Sequence, residues 1–560
     1  MAWKEVAADW GEVSERKASD LFVECLEAEG VRYVFGIPGE ETLDLNESLE
    51  ASSIEFVPVR HEQGGAYMAD MYGRLTRSAG VCLGTLGPGA TNLVTGVADA
   101  WLDRSPMVAL TGQADLERMH KESHQYIDVV DMLRPVTKFN ARLNSARVIP
   151  EIVRKAFKVA EAQKPGPTHI ELPEDVMAAP VDAAPLPVRA ARRRPEPSPE
   201  ELQAALNVIG EAERPIVLAG NGVARTGAAA ALRAFAYATG IGVAETFMGK
   251  GMLDYADRRA LGTVGLQSRD YALAGFDEAD VVICVGYDLV EHSPANWNPN
   301  RDKRIVCIDT VAPEVDEHFI TEADLIGDIA YILTRLAEEL SGIMFACEPS
   351  RLNEIVLGRF ESAKDDDAFP MQPPRALWEI RQALGRHDML ISDVGLHKLW
   401  IARMFPAHEP DTVFIANGLA GMGIALPTAI AAKLVHPDRK VVTVNGDGGF
   451  LMNVQELETA VRLGTAVVNV IWENRQYGSI VWKQDKRFGR HFGTDFTNPD
   501  FVRLADAFGM PAWRCEGVED LGRHLRHALS LDVPSLIVVP IDYSIDVSIS
   551  EELGTETVAA

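Results

Sequence analysis

A chain of 560 residues, 47% apolar and 24% charged, has the composition of an ordinary globular protein and is too long for one core. At roughly 100 to 200 residues per domain it divides into about three. The formal charge of −28, from 54 basic and 82 acidic residues, argues against a nucleic-acid or anionic-membrane partner surface. Six cysteines stand singly with no CxxC pair, as expected of reduced core residues in a cytoplasmic protein. The opening MAWKEVAADWGEVSERKASD lacks the basic patch and apolar run of a signal peptide, and no stretch of about 18 apolar residues occurs, so neither leader nor spanning helix is expected.

Strand and helix patterns alternate along the chain, which predicts an α/β fold of doubly wound parallel sheets. The first predicted helix has Ser19 or Asp20 as N-cap, Leu21, Phe22, Cys25 and Leu26 on one face, and Gly30 as its stop. Strands follow at VRYVFGIPG (31–39), IEFVPV (54–59), GVCLGTLGPG (80–89) and PMVALTG (106–112). The proline- and charge-rich run at 183–201 reads as a linker, and a second break spans 347–350 with 363–375. Domains are therefore expected at 1–183, 200–345 and 370–547, with EELGTETVAA as a tail. The middle block offers strands at 215–223, 280–289 and 304–310. Its GNGVARTG reads as a structural turn, because the full dinucleotide fingerprint with a following acid is missing. The first and third blocks share a strand-then-glycine punctuation.

The stretch VVTVNGDGGF (441–450) runs a buried strand into Gly446, Asp447, Gly448 and Gly449. Glycines flanking one acid let something bulky approach the backbone, although a tight turn is the commoner meaning of GDGG alone. FLMNVQELETAVRLG places Leu451, Val454, Leu457 and Val461 on one helical face and stops at Gly464. The strand AVVNVIW (466–472) then ends at Glu473 and Asn474. A strand–helix–strand crossover brings Asp447 and Asn474 to the same carboxyl edge, where open α/β sheets bind ligands. Mg²⁺ takes oxygen ligands shared with phosphates, and Asp447, Asn474 and the backbone carbonyl of Gln476 could supply them. Farther upstream, FVPVRHEQGGAYMADMYGR presents Glu62 at the start of a helix. By itself it reads as well as a first-turn acid complementing the helix dipole.

GDG followed by a crossover and Asn resembles the signature of thiamine diphosphate enzymes, in which a metal anchors the cofactor's diphosphate. The Glu62 segment is similar to that of the acetolactate synthase group, which implies that Glu62 is the catalytic carboxyl touching the cofactor's aminopyrimidine. FGIPGEETLDL (35–45), TLGPGATNLVTGVADAW (85–101), ALTGQ (109–113), RPVTKFN (134–140), GPTHIELPEDV (166–176), DVGLHKLW (393–400) and NGLAGMGIALPTAI (417–430) resemble further segments of that group. The resemblance spans essentially the whole chain. It implies aminopyrimidine-binding (1–183), central (200–345) and diphosphate-binding (370–547) domains, in a homodimer or homotetramer with active sites between chains. The cofactor-binding set it implies is Pro38, Glu62, Thr85, Gly395, His397, Gly421, Met422, Gly446, Asp447, Gly448, Gly449, Asn474, Gln476, Gly478, Ser479 and Ile480. Met422 would bend the cofactor between its rings, while read alone it is an adaptable core methionine. His397 read alone is a surface residue, and Gly87 and Gly89 shape a tight turn under either reading.

HKESHQYIDVVDMLRPVTK and VGYDLVEHSPANWN resemble the catabolic, flavin-independent acetolactate synthases. The expected cofactors are thus thiamine diphosphate and Mg²⁺ without FAD, and the expected reaction joins two pyruvates into 2-acetolactate with release of CO₂. His124 and Gln125 are candidates for holding the substrate carboxylate or the acceptor ketone, against a role in shaping their loop. Two departures bear on the acceptor: Leu86 replaces a small hydroxyl residue in TLGPGATN, and ENRQYGSIVWKQ brings Gln476, Trp482 and Gln484 to the metal loop. The alternatives are another thiamine diphosphate-dependent 2-oxoacid decarboxylase or carboligase, a sulfoacetaldehyde acetyltransferase, or a non-catalytic scaffold. Intact Glu62, Asp447 and Asn474 count against the last.

Overall fold

The computed structural model describes residues 16–188, 195–266, 268–347 and 350–545. The expectations for the stretch before residue 16, the middle of the linker, the boundary at 547 and the tail at 551–560 lie outside the described residues. Three parallel sheets of six strands each, with interleaved helices, carry the fold. The first holds β1 (Tyr33–Gly36), β2 (Glu55–Pro58), β3 (Gly80–Gly84), β4 (Met107–Gln113), β5 (Phe139–Arg142) and β6 (Pro167–Pro173), in the order β2-β1-β3-β4-β6-β5. The second holds β7 (Pro215–Ala219), β8 (Gly242–Glu245), β9 (Ala260–Thr263), β10 (Val281–Val285), β11 (Arg304–Asp309) and β12 (Ala323–Ile326), in the order β12-β11-β10-β7-β8-β9. The third holds β13 (Met389–Ser392), β14 (Val413–Ile415), β15 (Val441–Gly446), β16 (Val467–Glu473), β17 (Ala512–Arg514) and β18 (Ser535–Pro540), in the order β14-β13-β15-β16-β18-β17. The shared glycine punctuation of the first and third blocks thus accompanies one strand order used twice.

The strands read as near-continuous apolar runs because helices cover both faces of a parallel sheet; β4, β6 and β16 are buried along their whole length. Contacts divide the chain into two compact units, residues 1–191 and 192–560. In the second unit one apolar cluster runs without a break from Leu218 and Val282 of the central sheet to Leu390 and Val470 of the C-terminal sheet. All six cysteines are unpaired, and only Cys347 is not fully buried.

Two local expectations are corrected. The first helix is Ala18–Ala28 with Lys17 at the N-cap, so Ser19 and Asp20 lie in its first turn. There Asp20 accepts from the Lys17 backbone N–H at 3.0 Å, capping from inside the helix. After Asp447 the chain forms a short helix Asp447–Phe450 and then a separate helix Glu456–Leu463 that stops at Gly464 with φ +63°. The interruption rotates the second helix, so Leu457 is buried while Val461 is 38% exposed. Glu456, fully buried, accepts a hydrogen bond from Thr459 Oγ1 at 2.6 Å, a polar contact that hydrophobic periodicity does not register.

Candidate active site

In the first unit the carboxyl ends of β2, β1, β3 and β4 gather the expected residues. Glu62 opens the helix Glu62–Thr76, whose N-cap His61 accepts from the Gln63 N–H through Nδ1. The Glu62 side chain is nearly buried at 7% exposure, and its Oε2 accepts from Asn92 Nδ2 at 2.9 Å. Oε1 lies 3.3 Å from where a Cβ on Gly89 would stand, so that glycine keeps the second oxygen clear of a side chain. Asn92 rides on the helix Pro88–Leu102, which starts at the Gly87 turn with φ +53°. A Cβ at Gly87 would meet the Gln125 carbonyl at 2.7 Å, so the His124–Gln125 loop packs onto this turn.

Both His124 and Gln125 are exposed, and Gln125 adopts a left-handed φ of 57°. Gln113 at the end of β4 ties the loop down, donating through Nε2 to the Ile127 carbonyl at 3.2 Å and to buried Glu171 at 2.9 Å. Thr85 donates to Glu41 Oε2 at 2.8 Å, and Pro38 is exposed just beyond β1. Leu86 is fully buried, so its difference from the usual hydroxyl is taken up inside the unit's core.

In the second unit β13, β15 and β16 lie side by side and send three loops over one edge. Asp447 is 1% exposed: Oδ2 accepts from the backbone N–H groups of Asn474 (3.0 Å) and Arg475 (2.6 Å) and from Asn498 Nδ2 (2.9 Å), and Oδ1 from Gly448 N–H (3.0 Å). Burial pushes this carboxyl up, and those four donors pull it back. The structure therefore joins Asp447 to Asn474 through the backbone. The Asn474 side chain instead lies beside Gly478, its Nδ2 3.4 Å from a Cβ placed there. Gln476 donates its own amide to Asp495 at 2.7 Å, and its carbonyl accepts from Gly478 N–H at 2.9 Å, which leaves that oxygen a second lone pair.

His397 is buried, contrary to the surface reading, and burial lowers its pKa to about 3, so the ring is neutral at ordinary pH. Its Nε2 has no hydrogen-bond partner, and the ring sits where Cβ atoms on Gly395 (2.7 Å) and Gly446 (3.1 Å) would be. A Cβ on Gly448 would meet Tyr477 at 2.9 Å and one on Gly449 would meet Asp393 Oδ2 at 2.5 Å, so the glycines are required by packing on this edge. Asp393 is a functional candidate that the sequence reading passed over. Its Oδ1 accepts from the N–H groups of Val394 and Gly423, both at 2.8 Å, and burial pushes its carboxyl up to about 7. Met422, between Ala420 (φ 58°) and Gly423 (φ 84°), is only half-buried and so is not a core methionine.

A cavity of about 830 Å³ opens beside these loops, lined among others by Leu396, Asn474, Gln476, Gly478, Trp482 and Tyr543. Ser479 is half-buried and Ile480 is 48% exposed, while Gln484 turns away and accepts from the Phe492 N–H. The edge fits a phosphorylated cofactor held through a hard cation: one carboxylate, an amide, a carbonyl with a lone pair to spare, an orphaned buried imidazole nitrogen and glycines that exclude side chains. Among the described residues no cluster of three His, Cys, Asp or Glu side chains could hold a metal ion. Asn498 and Asp393 carried no sequence signal beyond their residue type.

Three family profiles match the chain: the N-terminal thiamine pyrophosphate binding domain over residues 16–132, the central domain over 202–336 and the C-terminal thiamine pyrophosphate binding domain over 393–539. The acetolactate synthase of Bacillus subtilis (strain 168) is 34% identical over 547 residues, covering 96% of this chain and 95% of that protein. The catabolic acetolactate synthase of Raoultella terrigena is 35% identical over 534 residues, covering 94% and 95%. Acetolactate synthase 1 of Zea mays, a chloroplastic enzyme, is 31% identical over 561 residues, covering 95% and 86%. With domain matches in all three blocks and relatives aligned over nearly its full length, the chain belongs to the thiamine pyrophosphate enzyme family, alongside the acetolactate synthases.

Proposed function

We propose that the protein is a thiamine diphosphate- and Mg²⁺-dependent acetolactate synthase that converts two pyruvates into 2-acetolactate and CO₂. The observation that carries this reading is the full-length similarity to acetolactate synthases combined with a nearly buried Glu62 that accepts a hydrogen bond from Asn92. Bound thiamine diphosphate supplies the electron sink for decarboxylation of a 2-oxoacid. Asp447, Asn474 and the Gln476 carbonyl hold the metal, and His397 with the glycines at 395, 446, 448 and 449 cradles the diphosphate. Glu62 holds a proton against the aminopyrimidine, and Asn92 orients its Oε2. Met422, with its loop anchored by Asp393 at Gly423, sets the bend between the cofactor's rings. His124 and Gln125 face solvent in this unit and recognise the carboxylate of the 2-oxoacid.

A flavin-free enzyme is the reading supported by the central sheet. Strand order reverses between β7 and β10, the crevice in which such sheets take dinucleotides. The Glu291 carboxylate fills it, accepting from the Asn221 N–H at 3.0 Å and the Asp288 N–H at 3.2 Å. An acid of the chain itself thus takes the place of a phosphate. A homo-oligomer with sites shared between copies is supported by the helix Gly478–Phe488, which buries none of its residues and leaves Ile480 and Phe488 exposed next to the metal loop.

The test is product analysis by NMR after incubating the protein with thiamine diphosphate, Mg²⁺ and pyruvate, without FAD. Acetolactate, or acetoin after acidification, is expected. Acetaldehyde alone would make the protein a decarboxylase, and unconsumed pyruvate would direct the search to other 2-oxoacids and acceptors.

A further inference from the structure

One side chain outside the three metal-binding positions ties two acids together at the cofactor edge. The register of β15 on β16 pairs Gly446 with Trp472, so Asp447 and Glu473 follow as neighbours at adjacent strand ends. Two carboxylates so placed disfavour each other's charge unless a donor or a cation stands between them. Asn498 is that donor: its Nδ2 gives one hydrogen bond to Asp447 Oδ2 at 2.9 Å and another to Glu473 Oε1 at 3.4 Å. The amide can face these acids only through its nitrogen, because both neighbours are acceptors. Glu473 is balanced on its other oxygen by Arg514, the last residue of β17.

The chain fixes Asn498 from both sides. The segment that carries it returns from the helix Gly478–Phe488 and pairs with the metal loop, where the Tyr477 N–H donates to the Thr494 carbonyl at 3.0 Å and the Phe496 N–H to the Arg475 carbonyl at 3.1 Å. Two residues beyond Asn498, Asp500 caps the helix Phe501–Ala507, accepting from the N–H groups of Val502 (3.0 Å) and Arg503 (3.2 Å). Buried Phe501 meets Phe450 edge-on with ring centroids 5.9 Å apart, which docks this helix on the short one that Asp447 opens.

This contact decides which oxygen of Asp447 is left for a cation. Each carboxylate oxygen offers about two lone-pair sites. Oδ2 already accepts three donors, the N–H groups of Asn474 and Arg475 and the Asn498 amide, whereas Oδ1 accepts from the Gly448 N–H and keeps a site to spare. We propose that Asn498 is a positioning residue for the metal: by occupying Asp447 Oδ2 and holding Glu473 aside, it presents Oδ1 to Mg²⁺ as a monodentate ligand. A small cation that demands near-octahedral geometry is served by such a fixed, single oxygen. The role rests on the metal assignment proposed above and adds to it a residue that does not itself touch the ion.

The test is calorimetric titration of the full chain with Mg²⁺ in the presence of thiamine diphosphate. Asn498→Leu keeps the side chain's size and removes both donated bonds, and the Asn498 Oδ1 has no partner to lose. The dissociation constant for Mg²⁺ should rise by about 10- to 100-fold, the usual cost of removing a group that orients a metal ligand. At saturating Mg²⁺ the variant should again bind thiamine diphosphate with the stoichiometry of the unaltered protein, and its melting temperature without cofactor should stay the same. Asn498→Ala, which also lacks the donor, should lose Mg²⁺ affinity to a similar extent. A change below about twofold in both variants would overturn the proposal. So would a loss of cofactor binding that excess Mg²⁺ does not restore, because Asn498 would then be part of the scaffold. An unaltered protein that takes up no Mg²⁺ with thiamine diphosphate would refute the metal assignment itself, and the positioning role with it.

Discussion

Glu62 illustrates what a single position can and cannot say. Its place at the first turn of a helix suits any acid, and only the tertiary structure shows one carboxylate oxygen held by Asn92 and the other beside Gly89, clear of a side chain. Glu62→Gln keeps shape and loses the proton-holding group, so turnover should fall by about 10²- to 10⁴-fold while thiamine diphosphate affinity by calorimetry stays near normal. Asp447→Ala should weaken Mg²⁺ and cofactor binding together in the same titration, and unchanged affinity would refute the anchor. Asp393 gives a pH signature. Its folded value of about 7 lies above the ordinary 3.8, so the folded state keeps a proton that the unfolded chain gives up between those values. Its contribution to stability is complete below about pH 4 and lost as pH rises through 7. The melting temperature of cofactor-free protein should therefore decline over that range more steeply than that of Asp393→Asn.

Among the elements, the pair of helices behind Glu62 depends on one cation. Arg74 on Glu62–Thr76 reaches Asp70 (2.8 Å), Asp99 (3.4 Å) and Asp103 (2.7 Å), all with fully buried side chains, and so clamps the helix carrying Glu62 to the helix carrying Asn92. Arg74→Met leaves buried carboxylates facing one another and should destabilise the protein by about 3–5 kcal/mol in urea denaturation. A loss under 1 kcal/mol would show that the acids find other donors. This clamp was not legible in the sequence, because Asp70, Asp99 and Asp103 look like ordinary polar positions on amphipathic helices until the helices pack. The strands were legible, since parallel strands covered on both faces leave continuous apolar runs. The helix after Asp447 was misread because its interruption at 451–455 is stabilised by buried polar contacts at Asn453 and Glu456.

At the scale of the whole molecule, exposed Tyr477, Ile480, Phe488 and Phe492 flank the metal loop. Sedimentation velocity should find a dimer or larger assembly at micromolar concentration, and a monomer that retains full turnover would exclude sites shared between copies. Alternation of strand and helix and glycines at strand ends determined the three parallel α/β sheets from the sequence alone, since each follows from local periodicity or from residue type at a strand's end, while the family followed from ordered motifs that resemble those of thiamine diphosphate enzymes. Tertiary structure alone decided that His397 is buried with a free nitrogen, that Asp393 anchors the Met422 loop, and that Glu291 accepts from the Asn221 N–H in the central crevice. Those outcomes join residues far apart in the chain, and burial sets their charge and their unmet hydrogen bonds only once the sheets have packed.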